Sequence, residues 1–300
     1  QMLFTQELRR NVAHFQQGEA FEISPDVLTA LAHVLENYEQ DIELATLILT
    51  LPKDIEFAES FKTIDPDGIA ATREFMLVQI AEYLKEDLLR IYTHIRLEDY
   101  QVTQKDIALR AMRNLCLSYL AYTNLGNNVV QKHYNNANNM TDTLAALNMA
   151  TKAALPCRDT LLVDFEQKWQ HDGLVMDKWF ALQATRPDEN VLEIVQALMD
   201  HPSFNFNNPN RLRSLVGSFA NHNLKAFHHI SGSGYRFLTD VLIRLNETNP
   251  QVAARLIEPL IRFSRFDAQR QTLMKRALER LSAVEELSKD LFEKIEKALQ

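Results

Sequence analysis

The sequence predicts an all-α fold, a superhelical array of antiparallel helix pairs of the HEAT or armadillo solenoid type. Three observations predict it. Apolar residues recur at helical spacing, no alternating pattern extends beyond three or four residues, and only 7 of 300 residues are glycine. One-sided apolar stripes are typical of amphipathic helices, whereas strands need alternation. Stacked pairs of such helices curve, so we expect a bowl with a concave face.

The apolar stripes are spread along the whole chain. Steps of three or four residues separate the apolar positions in the segments 77–91, 109–120, 144–155, 238–245, 252–263 and 291–299. Stripes of this kind predict about fifteen helices of about 10–20 residues, joined by short loops. No repeat consensus is visible, so any repetition is in structure rather than in sequence.

Capping residues followed by proline mark several helix starts. A Ser, Asp or Asn directly precedes proline at Ser24-Pro25, Asp65-Pro66, Asn208-Pro209 and Asn249-Pro250. Such side chains accept hydrogen bonds from the first free N–H groups, and proline suits the first helical turn. Thr103 and Asp106 form a variant of the capping box, and Pro259 predicts a break near Glu258. Gly126, Gly173 and Gly217 are expected to end or link helices.

Composition excludes some functions. A net charge of −8 and a pI near 5.6 argue against nucleic-acid binding, which needs a basic surface. The sequence contains no apolar run long enough to span a bilayer and no signal peptide, so we expect no membrane partner. Two cysteines, Cys116 and Cys157, favour buried reduced thiols and a cytoplasmic location. Helical periodicity begins at once after Gln1, and we therefore expect the chain to be part of a longer one.

No local motif for catalysis or metal binding is present. None of the nine histidines is followed by glutamate, so the zinc motif H-E-x-x-H does not occur. The adjacent His228 and His229 point in different directions on a helix and are expected to be surface or loop residues. The glycine-containing segment 231–235 matches no nucleophile or phosphate-binding pattern and predicts a loop in which Ser231 or Ser233 caps the next helix. We predict no catalytic residue and no metal ligand.

Two arginines are the best candidates for ligand binding. Arg211 and Arg213 diverge by about 200° on a helix, so only one of them can face a given cavity. Gln251 and Arg255 are four residues apart and share a face. The planar donor fork of arginine suits a carboxylate or peptide carbonyl groups. The alternative remains open that Arg255 pairs with Glu258 and that Arg213 belongs to a structural ion pair.

Three long segments carry a family resemblance. LPCRDTLLVDFEQKW at 155–169, GLVMDKWFALQAT at 173–185 and the segment from NPNRLRSLVGSFA to IEPLIRF at 208–263 are rich in uncommon residues. They resemble the C-terminal helical domain of bacterial aminopeptidase N, an alanyl aminopeptidase of the M1 gluzincin metallopeptidases. The resemblance implies a single bowl-shaped helical domain over residues 1–300 within a larger enzyme. In that enzyme an upstream catalytic domain holds zinc, and this chain binds none.

The resemblance also implies a role. Residues 1–300 would cap the catalytic domain of the same chain and enclose the site where N-terminal amino acids are removed from peptides. Arg213 and Arg255, with Gln251, would be substrate-binding residues that hold peptide without cleaving it. The alternatives are a stand-alone helical-repeat scaffold for a protein partner, and an unrelated enzyme whose site includes dispersed residues such as Asp177 or Glu193.

Overall fold

The computed structural model describes residues 2–97 and 99–300, and its regular elements are helical throughout. The described residues contain no strand, and their one isolated bridge pairs Ile64 with Phe266. The all-α prediction is confirmed. The α-helices are α1 (Met2–Gln17), α2 (Pro25–Glu36), α3 (Ile42–Leu49), α4 (Asp54–Ala58), α5 (Pro66–Tyr83), α6 (Lys85–His94), α7 (Gln104–Leu120), α8 (Gly126–Asn136), α9 (Met140–Lys152), α10 (Arg158–Trp169), α11 (Gly173–Ala184), α12 (Val191–Leu198), α13 (Pro209–Leu212), α14 (Ser218–His222), α15 (Leu224–Phe227), α16 (Ser233–Thr248), α17 (Pro250–Leu256), α18 (Glu258–Ile261), α19 (Ala268–Ser282) and α20 (Lys289–Leu299).

The chain forms two compact units. The first consists of the chain up to Phe57 together with Gly68–Phe165, and the second of Ala58–Asp67 together with Glu166–Gln300. A ten-residue segment from the first third of the chain therefore belongs to the second unit. The expectation of one domain over residues 1–300 stays a prediction.

The helix boundaries follow the capping signals. Helices α2, α5, α13 and α17 each begin at the predicted proline. The Asn249 side chain accepts a hydrogen bond from the Val252 amide, and Thr103 does the same for Asp106 at the start of α7. Helix α17 ends at Leu256 and α18 begins at Glu258, so the predicted break before Pro259 is confirmed. Several helices are shorter than the predicted 10–20 residues: a π-helical turn separates α13 from α14, and the single residues Asn223 and Ile257 separate α14 from α15 and α17 from α18.

The first unit has its core around α7. Met112, Cys116 and Tyr119 are fully or almost fully buried, and the Tyr119 hydroxyl donates to the Leu49 carbonyl oxygen of α3 at 2.6 Å. Burial raises the pKa of the Cys116 thiol to about 12, which keeps it protonated. Cys157 is also buried, and the two cysteines are free thiols, as predicted.

The second unit has an aromatic core, and polar contacts attach the inserted segment, residues 58–67, to this unit. Phe219, Phe227 and Tyr235 are buried, with Phe227 in edge contact with both of the others. The Ile64 amide of the inserted segment donates to the Arg265 carbonyl oxygen at 2.7 Å. The buried Arg270 guanidinium binds Asp67 at 2.5 Å and also Asp267. These contacts attach the segment 58–67 to the second unit.

Gly234, in the first turn of α16, has no space for a side chain. A Cβ atom there would lie 2.9 Å from Phe227 Cα and closer still to the Phe227 carbonyl oxygen, which is backbone and cannot rotate away. Gly173, at the start of α11, would place its Cβ at an ordinary 3.4 Å from an arginine side chain.

We predict that Gly234→Ala destabilises the protein and that Gly173→Ala does not. Overpacking against backbone should lower the free energy of unfolding by about 1–3 kcal/mol or more in the first variant. Denaturant unfolding of the two variants measures the difference. Equal stability of the two variants would show that α15 and α16 are not in close contact at Gly234.

Candidate functional site

A polar cleft of about 520 Å³ lies between α17 and α20 of the second unit. Gln251 and Arg255 line it from α17. Four charged residues line it from the last helix: Asp290, Glu293, Lys294 and Lys297. Two of the three predicted binding residues are thus brought together at one cleft.

The sequence of α17 determines which side chains reach this cleft. Ala253 and Leu256 are buried in the core, so the opposite face of the helix is outward. Gln251 and Arg255, one turn apart, lie on that outward face, and both are exposed. The Asn249 cap and Pro250 fix where the helix begins, and they thereby fix which residues face outward.

Arg255 has no ion-pair partner among the residues that the structure describes. The alternative that it pairs with Glu258 is wrong, because Glu258 forms an ion pair with Lys294 of α20. Glu293 in turn lies 3.8 Å from Lys289. The guanidinium of Arg255 is therefore available to an anionic or carbonyl group.

Arg213 lies beside α17 and is not one of the residues that line the cleft. It begins a π-helical turn, Arg213–Gly217, and its exposed side chain reaches Asn210 Oδ1 at 3.4 Å. A Cβ on Gly217 would lie 3.2 Å from Arg213 Cγ and 3.4 Å from Leu256 Cδ2. The π-helical turn continues from Gly217 directly into α14, so Gly217 links two helical segments, as the sequence predicted.

Arg211 has a structural role, which agrees with the prediction that Arg211 and Arg213 cannot both face the same cavity. It is buried and donates to Asp177 at 2.7 Å and to the Gly173 carbonyl oxygen at 2.9 Å. The same ion pair engages Asp177, one of the dispersed residues named for the alternative of an unrelated enzyme.

The charged residues of α20 were not predicted as part of a site. Asp290, Glu293 and Lys297 are spaced by three and four residues, and Leu291 and Ile295 form the buried stripe. This spacing shows that they share a face, but it does not show that α17 lies opposite.

His228 lies in the turn after α15, so the expectation of a surface or loop histidine holds for its loop position, but its side chain is buried in the core. Its ring stacks on Phe266 with centroids 4.0 Å apart, and Nδ1 lies 2.9 Å from the Tyr235 hydroxyl. Burial, with the nearby Arg270 charge, lowers the pKa of His228 to about 3. His229 is exposed, as predicted, and contacts Ser231.

The described residues contain no group of three or more His, Cys, Asp or Glu that could hold a metal ion. The described residues therefore supply no donor set that fits zinc. In the same range no helix is long and apolar enough to cross a membrane.

We predict that acidification destabilises the protein in part through His228. Its pKa is lower in the folded state, so the unfolded state binds the extra proton and stability is lost as pH falls from about 6.5 toward 3. Between these pH values, this one group should lower the free energy of unfolding by up to about 1.4 kcal/mol for each pH unit. Denaturant midpoints measured at several pH values should depend less on pH in His228→Gln than in the wild-type protein. The exposed neighbour provides a control, His229→Gln, and an equal dependence in both variants would contradict the prediction.

The described helices define a helical-repeat fold, and comparisons with known proteins agree with that fold. A family model described as a domain of unknown function (DUF3458_C) with ARM repeats matches residues 1–300. The chain belongs to this family, and the prediction of an armadillo-type helical repeat is confirmed.

Named relatives confirm the resemblance to aminopeptidase N. The chain is 87% identical over 300 residues to aminopeptidase N of Haemophilus influenzae, covering 100% of this chain and 34% of the relative. It is 50% identical over 301 residues to aminopeptidase N of Escherichia coli, covering 100% and 35%. The crystal structure of Legionella pneumophila aminopeptidase A in complex with aspartic acid has a TM-score of 0.88 at 26% identity, covering 99% of this chain and 36% of that one. The chain thus spans about a third of the length of the relatives it matches.

Proposed function

We propose that this chain is the C-terminal cap of a zinc-dependent aminopeptidase that removes N-terminal residues from peptides in the cytoplasm. The observation that carries the proposal is its 87% identity to an aminopeptidase N along its full length. The cap encloses the substrate chamber of an upstream catalytic domain in the same chain. Zinc is held by that domain, outside this chain.

Arg255 and Gln251 hold the part of the peptide that follows the cleaved residue. The absence of an ion-pair partner for Arg255 within the described residues supports this role, because an exposed guanidinium without a carboxylate partner can bind one from a ligand. Its fork of N–H donors matches a carboxylate with two parallel hydrogen bonds. Gln251, one turn away on the same face, adds an amide that pairs with peptide N–H or C=O groups.

Arg213 is a second cationic contact in the proposed chamber. Its stem rests against Gly217, which also approaches Leu256 of α17, so both arginines belong to neighbouring parts of the second unit. Neither arginine performs bond cleavage. They position the peptide and increase its residence at the catalytic domain.

We predict that Arg255→Ala in the full-length enzyme impairs the cleavage of tri- and tetrapeptides more than it impairs stability. Loss of a charge-assisted hydrogen bond should lower kcat/KM by about 10- to 100-fold for these peptides. An aminoacyl p-nitroanilide, which carries only the aryl amine and no peptide carbonyl or carboxylate beyond the cleaved bond, should be cleaved at a nearly unchanged rate. Steady-state kinetics on both substrate classes provides the measurement.

The matched control is Arg276→Ala. Arg276 is an exposed arginine of α19 in the same unit, and it is not among the residues that line the cleft. Its loss should leave both substrate classes unaffected. Unchanged kinetics of Arg255→Ala on tri- and tetrapeptides would exclude Arg255 from peptide binding.

We also predict that the 300-residue chain alone neither hydrolyses peptides nor binds zinc tightly. The donor set for a metal is missing from the described residues, and the sequence lacks the H-E-x-x-H motif. Peptidase assay and metal analysis of the purified chain after dialysis provide the measurement. Stoichiometric zinc with peptidase activity would contradict the assignment of the chemistry to another domain.

A further inference from the structure

Helix α3 of the first unit is apolar on both sides. Ala45 and Leu49 are buried in the core. Leu44, Leu47 and Ile48, on the other side, are 50%, 58% and 36% exposed. We name these three side chains the α3 apolar face. An amphipathic surface helix would place polar residues there, so three neighbouring aliphatic side chains in one turn are unusual for a solvated face.

The neighbouring helix extends this apolar surface. Helices α3 and α7 lie together, with the Gln104 side-chain amide donating to Glu43 near the start of both. Ile107, one turn after Gln104, is 46% exposed. Val102, directly before the cap residue Thr103, is in the position of a hydrophobic staple to Ile107 and is itself exposed. Val102 and Ile107 thus add exposed apolar side chains around the start of the helix that lies against α3, and we call them, together with the α3 apolar face, the apolar patch.

We propose that the α3 apolar face is the docking surface for the part of the parent aminopeptidase that lies outside this chain. This inference rests on the proposed function. The relatives of this chain are about three times as long, since it covers only 34% and 35% of them. About two thirds of each relative is thus joined covalently to a chain like this one.

Covalent connection favours this occupant over a second copy of the chain. A tethered domain is present at an effective concentration in the millimolar range, which exceeds any cellular concentration of a separate protein. Apolar side chains are also the usual composition of the centre of an interface between domains. Burial of the α3 apolar face by the rest of the enzyme removes aliphatic surface from water and holds the cap in place.

The test is cysteine accessibility in the full-length enzyme. Leu47→Cys and, as an independent second position, Ile107→Cys are reacted with a maleimide in the native state, and labelling is followed peptide by peptide with mass spectrometry. The rate is normalised to that of the same variant unfolded in urea. The buried Cys116 and Cys157 report that the fold is intact. Lys289→Cys, at a side chain 86% exposed, provides the accessible control.

Both patch cysteines should be labelled at least about tenfold more slowly than the control, equivalent to about 1.4 kcal/mol of protection. Labelling as fast as the control at both positions would overturn the proposal. If protection disappears on dilution and light scattering shows a dimer, the surface is covered by a second copy of the chain. That result would also overturn the proposal. Peptidase activity of the unlabelled variants tests the proposed function separately: an active enzyme with accessible patch cysteines fails the docking proposal alone.

Discussion

This structure depends on one constraint: each helix buries an apolar stripe against the stripe of a neighbouring helix. In α17, Ala253 and Leu256 meet the core, and this orientation turns Gln251 and Arg255 outward. In α20, Leu291 and Ile295 are buried, so charged residues on the other side of the helix face the cleft. The position of the polar site is therefore a consequence of which residues are apolar, and it needs no local catalytic motif. Helix α3 departs from this rule, because aliphatic residues lie on its outward side too.

Among the described residues of the second unit, the guanidinium of Arg255 has no ion-pair partner, because nearby carboxylates pair with other residues. Glu258 is close to it in sequence but pairs with Lys294. By contrast, Arg211 and Arg270 are buried and fully engaged, Arg211 with Asp177 and Arg270 with Asp67 and Asp267. A buried guanidinium without such partners would be too costly, whereas an exposed one is hydrated until a ligand replaces the water. Exposure and the absence of an ion-pair partner among the described residues together distinguish Arg255 from the structural arginines Arg211 and Arg270.

Local signals in the sequence predicted much of the fold and part of the site. The Asn249-Pro250 pair predicted the start of α17, and the spacing of four residues predicted the shared face of Gln251 and Arg255. Long-range pairing was not predictable, because nothing in the α20 stripe identifies α17 as its neighbour. The same holds for Asp65-Pro66, which marked a helix start but gave no sign that the segment binds Arg265 and Arg270 some 200 residues later in the chain. The burial of His228 was not predictable, because Phe266, on which its ring stacks, lies far later in the chain.

The measurement that tests the central claim most directly is the intact mass of the native gene product, with zinc content determined on the same sample. This chain of 34.6 kDa covers 34% of a close relative, so the account predicts a native protein of about 100 kDa. That protein should hold about one zinc ion per chain, bound outside residues 1–300. A native protein of about 35 kDa without zinc would contradict the account and would favour a helical-repeat scaffold that keeps the fold of the family without its chemistry.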